Sequence, residues 1–108
     1  MSTRDNKQPR PPPERERTIR QAIREHLEQD PLTARELSSL VGIREKDVIA
    51  HLEHLSKSLR GSGRSLVVEP AECLSCGFVF KKRRRLSRPG SCPACRKPRI
   101  EPPVFRVE

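Results

Sequence analysis

The chain is 108 residues long, carries 23 Lys and Arg against 14 Asp and Glu, and has three Phe with no Trp or Tyr. A unit of this size cannot bury a large core, and no apolar run approaches the roughly 18 residues that a membrane span requires. The net charge of +9 favours a polyanionic partner.

The charge is unevenly spread. Residues 1–18 hold five basic and three acidic side chains, residues 19–60 seven of each, and residues 61–108 eleven and four. The basic excess therefore sits in the C-terminal half. The N-terminus, Met-Ser-Thr-Arg-Asp-Asn-Lys, has no apolar stretch of the kind that directs secretion, so the expected compartment is the cytoplasm. Residues 1–13, with Pro9, Pro11, Pro12 and Pro13 in a polar run, read as a disordered, basic, proline-rich tail.

From Glu14 to about Gln29 the pattern is helical. Ile19, Ala22, Ile23, His26 and Leu27 recur at the spacing of one apolar stripe. Asp30-Pro31 ends it, because proline disfavours the α conformation in the residue before it. A second, short helix is expected from Ala34 to about Leu40. Thr33 is its N-cap, Glu36 completes a capping box, and Leu32 and Leu37 stand at the staple positions. Gly42 is the C-terminal stop. A third helix covers about Arg44 to Leu59, with Val48, Leu52, Leu55 and Leu59 as its buried seam and Ile49 beside it. Two helices joined by a turn of three or four residues containing Gly42 form a helix-turn-helix, here preceded by a supporting helix.

Gly61-Ser62-Gly63 breaks the third helix, and Ser65 to Glu69 then reads as a strand. Val104-Phe105-Arg106-Val107 reads as a second. Pairing the two gives the wing of a winged helix-turn-helix.

Between these strands lie Cys73-Leu-Ser-Cys76 and Cys92-Pro-Ala-Cys95, separated by fifteen residues. This is the spacing of a four-thiolate zinc site. Each tight turn aims two sulfurs at one ion, and the intervening stretch is long enough to return as a hairpin. Such a site is closed, with no open position for a substrate water, so it argues for a structural Zn2+ in a binding module. Iron is the main rival, since four thiolates accept it as well. Disulfides and redox-active pairs fit less well, lacking an export signal and a βαβ pattern respectively. Phe78 and Phe80 alternate with Val79, so both are expected on one side of a short strand beside the metal.

The strongest electrostatic element is Lys81-Lys82-Arg83-Arg84-Arg85, followed by Arg88, in the loop between the cysteine pairs. Six like charges within eight residues repel one another, and phosphate neutralisation would relieve that. Arg96, Lys97 and Arg99 extend the patch. On the third helix the exposed candidates are Arg44, Lys46, Ala50, His51, His54 and Lys57. Arg44 is favoured for a guanine or phosphate contact, because its guanidinium presents a two-pronged donor, and Lys46 comes next. No Gly-rich phosphate loop or catalytic constellation is present, so no enzymatic activity is expected.

The resulting expectation is an α+β fold, a winged helix-turn-helix with a zinc-ribbon module inserted in the wing. It divides into a tail (1–13), three helices and the first wing strand (14–69), a zinc ribbon (70–101) and the returning wing strand (102–108). Thr33-Ala-Arg-Glu-Leu37, Val41-Gly-Ile43, Asp47-Val48, His51-Leu-Glu-His-Leu55, Glu72-Cys73 through Cys76-Gly-Phe78, Cys92-Pro-Ala-Cys95 and Ile100-Glu-Pro-Pro-Val-Phe105 carry a resemblance. Together they resemble small prokaryotic predicted transcriptional regulators that fuse a helix-turn-helix to a zinc ribbon with rubredoxin-like knuckles. The resemblance spans about residues 15–107 and implies Cys73, Cys76, Cys92 and Cys95 as metal ligands. One departure is Arg44, where a capping Ser would be more usual at the start of the third helix.

The function expected is DNA-binding transcriptional regulation. Arg44, Lys46 and Lys57 of the third helix and Lys81, Lys82, Arg83, Arg84, Arg85 and Arg88 of the loop would contact double-stranded DNA. The alternative is a zinc-ribbon adaptor that binds protein or RNA and reads no DNA sequence. A homodimer and a protein partner stay open as further partners; a membrane is not expected.

Overall fold

The computed structural model describes residues 13–81, 83 and 85–108. The tail expected over residues 1–13 lies outside them except for Pro13, which opens α1 (Pro13–Gln29). A proline at the first helical position gives up only an amide that has no acceptor within the helix. Along the expected stripe Ile23 and Leu27 are fully buried, while Ile19, Ala22 and His26 are half-buried at its edges.

α2 (Ala34–Val41) is punctuated as its sequence dictates. The Thr33 hydroxyl accepts from the Glu36 amide at 3.1 Å, and the Glu36 carboxylate accepts from the Thr33 amide at 2.8 Å. Gly42 ends the helix at φ 72°, a left-handed conformation that costs glycine little. The Ser38 hydroxyl donates to the Ile43 carbonyl and ties α2 to the turn that follows. α3 (Glu45–Arg60) begins without a side-chain cap, because Arg44 occupies that position. Val48, Leu52, Leu55 and Leu59 are its buried seam, as the spacing predicts, and Ile49 packs beside them.

β1 (Leu66–Glu69) pairs antiparallel with β4 (Val104–Val107), Leu66 facing Val107 and Glu69 facing Val104. A second ladder joins β2 (Glu72–Cys73) to β3 (Ile100–Glu101), with Glu72 facing Glu101 and Cys73 facing Ile100. Both ladders share one register. The gap between them is Pro70-Ala71 opposite Pro102-Pro103. Three of those four residues are prolines with no amide to donate, so the ladder breaks there and resumes beyond. The cysteine segment is thereby carried at the far end of a single interrupted ribbon.

The fold is α+β, three helices followed by small antiparallel sheets. One pairing has no counterpart in the expected elements. Leu32 and Phe105 exchange backbone hydrogen bonds at 2.9 and 2.8 Å, so the α1–α2 linker adds a third, one-residue strand beside β4. Phe105 lies fully buried at this junction, in a core with Ile23, Leu27, Leu37, Val48 and Leu52. A separate small core, Ala71, Cys73, Cys92 and Ile100, surrounds the cysteines. Among the described residues no helix is long and apolar enough to cross a membrane.

Candidate metal centre and basic surface

The two cysteine turns are built alike. Cys73 donates its amide to the Phe78 carbonyl at 2.8 Å and accepts at its own carbonyl from the Gly77 amide at 2.9 Å. Cys92 repeats both bonds, to the Lys97 carbonyl at 3.0 Å and from the Arg96 amide at 2.7 Å. The chain doubles back within five residues and leaves both sulfurs of each pair on the inside of the turn. The second pair is brought to the first because Leu74 donates to the Arg99 carbonyl at 2.9 Å and Cys73 faces Ile100.

All four sulfurs lie within 4.8 Å of one another. Cys73 Sγ stands 3.6 Å from Cys95 Sγ, and Cys76 Sγ 3.6 Å from Cys92 Sγ. A tetrahedral ion with metal–sulfur bonds of about 2.3 Å places its sulfurs roughly 3.8 Å apart, so the spacing fits one shared ion. A disulfide needs about 2.05 Å, which sets these pairs apart from bonded ones. Both of these pairs run across the two turns, so each turn contributes both of its sulfurs to one cluster.

Cys73 and Cys92 are buried, Cys95 is half-buried and Cys76 is exposed. Burial pushes the Cys73 thiol up, but the Cys76 and Ser75 amides stabilise its thiolate and bring it down to about 6. Cys76 gains from the Phe78 amide, yet local desolvation among the cysteines and the neighbouring sulfurs push it up to about 12. One thiolate thus suppresses the next in a cluster without a cation. A divalent ion removes that penalty, and it is the natural complement of such a donor set.

Phe78 and Phe80 do not form the expected strand; Val79 makes only an isolated bridge to Glu72. Gly77, forced into the turn, leaves too short a run to pair further. The rings nevertheless meet edge to face, centroids 5.0 Å apart, with Phe80 packed on the cysteine core and Phe78 partly exposed.

The basic residues fall into distinct groups. Lys46 at the start of α3 and Arg88 from the loop line one cavity, together with Arg35 from α2. Lys81, Arg83 and Arg85 line a smaller cleft of about 110 Å³ on Phe80, Pro70 and Pro103. Arg83 also closes its own loop, donating to the Ser87 carbonyl at 3.3 Å and to its hydroxyl at 3.4 Å. Arg44 is exposed and pairs with Asp47 at 3.2 Å. Lys57 lies thirteen residues further along α3, about 20 Å away, too far to share a contact with Arg44. Lys82 and Arg84 lie outside the described residues. Arg35 escaped the sequence reading, since nothing but its place in the first turn of a capped helix marks it.

A family model described as PF0610-like, N-terminal, matches residues 18–67, which span most of α1, then α2, α3 and the start of β1. The solution structure of protein PF0610 from Pyrococcus furiosus is 30% identical and superimposes with a TM-score of 0.73. The match covers 96% of this chain and 98% of that one. The chain belongs to the PF0610-like family. The description of the family names no activity and no helix-turn-helix, so the regulator resemblance read from the motifs stays an expectation beyond it. Among curated proteins none matches the chain. In this PF0610-like chain the family model stops short of the cysteine segment, whereas the structural match runs on through it.

Proposed function

We propose that the chain is a cytoplasmic DNA-binding transcriptional regulator. In this reading α2 and α3 form a helix-turn-helix, β1 and β4 form the wing, and residues 70–101 are a zinc ribbon inserted in it. The observation that carries it is the shared cavity of Lys46 and Arg88. It sets Arg88 of the loop beside the first turn of α3, the part of a recognition helix that reads base edges. One duplex could then meet the α3 start in its major groove and the loop along its backbone. Zn2+ is the ion proposed for the four thiolates, in a structural role. Its bonds hold Cys73 and Cys92, and with them the base of the loop. Breaking the exposed Arg44–Asp47 pair costs little, so Arg44 is available to DNA.

The adaptor reading has its own support. Leu74, Phe78 and Val79 at the ribbon tip are 57, 38 and 36% exposed, an apolar patch that duplex DNA would leave unused. Fluorescence anisotropy with random duplex DNA across a salt series separates the two. A slope of log affinity on log salt near −4 or steeper corresponds to at least about four neutralised phosphates and favours the DNA reading. Absence of binding at low salt would transfer the proposal to the adaptor. If neutralising Lys81, Arg83, Arg85 and Arg88 together only weakens binding, α3 still reads sequence; if it abolishes every preference, the ribbon is the reader.

A further inference from the structure

We propose that the cavity between α2, α3 and the loop at residues 86–88 is a binding site for a small organic anion with an apolar body. It encloses about 580 Å³, within the usual range of small-molecule sites. One wall is apolar, from Ile49, Leu86 and Pro103. Arg35, Lys46 and Arg88 converge on the same space, and Glu45 is the one carboxylate among the lining residues. No ion pair among the described residues uses any of the three cations. Their charge is left for something that enters.

The division of the lining selects the ligand. A bare inorganic ion would leave the Ile49–Leu86–Pro103 wall wet, and an apolar molecule would desolvate three cations without pairing them. A carboxylate or phosphate head against Arg35, Lys46 and Arg88, with a ring or short chain on the apolar wall, satisfies both. The head could equally be a phosphate of a bound duplex, and the test separates the two sources. The site draws on four segments distant in sequence, so an occupant would join the two helix starts to the cysteine loop and to Pro102-Pro103. Its occupancy would set how the loop stands relative to α3. The proposal rests on the cavity alone and survives failure of the DNA reading.

The test uses the full metal-loaded chain and the fluorescent anion 8-anilinonaphthalene-1-sulfonate. Saturable one-site binding is expected. Arg35→Gln and Lys46→Gln should each weaken it about tenfold, the loss of one charge-assisted hydrogen bond. Arg99→Gln, just beyond the second cysteine turn, and Leu74→Ser, in the exposed apolar patch, should leave it unchanged. A bound duplex would draw on Lys46 and Arg88 as well and should displace the probe, so displacement alone does not decide the source. The proposal is overturned by no fluorescence gain, by loss in Leu74→Ser, or by equal weakening in all four variants. Leu86→Ser decides it: probe binding should weaken while duplex affinity holds, and unchanged probe binding would overturn the proposal, because the cations would then form a phosphate site only.

Discussion

Gly77 and Arg96 hold the same backbone position, one residue after the second cysteine of each turn, and both are left-handed, at φ 81° and 65°. Each donates its amide back to the first cysteine's carbonyl. The turn needs that conformation to bring the chain back over the sulfurs. Glycine meets it freely; arginine, alone among the described non-glycine residues, does so under strain.

The two sites should therefore respond in opposite directions. A Cβ at Gly77 meets nothing within 4 Å, so Gly77→Ala tests the backbone alone. It should destabilise the cysteine module by about 1–2 kcal/mol, whereas Arg96→Gly should stabilise it by up to about 1 kcal/mol. Chelator titration checks this: metal should leave Gly77→Ala earlier than wild type and Arg96→Gly later. The reverse order for Arg96→Gly would mean that its side chain contributes more than the strain costs.

Cys92→Ser removes a buried sulfur from both the four-cysteine cluster and the small core. Bound metal should fall from one equivalent to near zero. Amides of Cys73 and Ile100 should lose hydrogen-exchange protection, while those of Val48 and Leu52, in the separate helical core, keep theirs. Full metal with unchanged protection would contradict a four-thiolate site.

Phe105 couples β4 to the helices through its buried ring and to Leu32 through its backbone. Phe105→Ala should cost about 3–5 kcal/mol, read as a lower urea midpoint for helix loss. A shift confined to the cysteine module would mean that the two cores are coupled otherwise than this packing implies.

His51 is held below its ordinary value of 6.5, first by burial and then by the Arg20 guanidinium; Glu16 and Asp47 pull the other way, and His54 adds to the lowering. The folded state then binds its proton less tightly than the unfolded chain. The stability contributed by neutral His51 is complete above pH 6.5 and is lost as pH falls through 6.5 towards the lower folded value. An NMR titration of the His51 ring should give a midpoint below 6.5, and Arg20→Gln should move it upward. A wild-type midpoint at or above 6.5 would contradict the packing of α1 against α3 around this side chain.

Much of this protein was determined by local sequence. The capping box at Thr33 and Glu36, the stop at Gly42 and the seam of α3 each depend on residues within a few positions of one another. Their physics is complete before the chain folds. The cysteine pairs were legible for the same reason, because a two-residue gap already limits where two sulfurs can point.

Tertiary structure decided the rest. The Leu32–Phe105 bridge joins positions 73 residues apart, and no periodicity near Leu32 announces it. The interruption at Pro70 and Pro102-Pro103 follows from proline chemistry, yet only the register shows that these residues face each other. Arg44 reads as a free donor in sequence and is an ion-pair partner of Asp47 in the fold. The cavity of Arg35, Lys46 and Arg88 exists because the interrupted ribbon returns the loop to the starts of α2 and α3. Charge along a chain sets what the protein can attract; the distances between those charges are set by long-range packing, which short-range patterns do not encode.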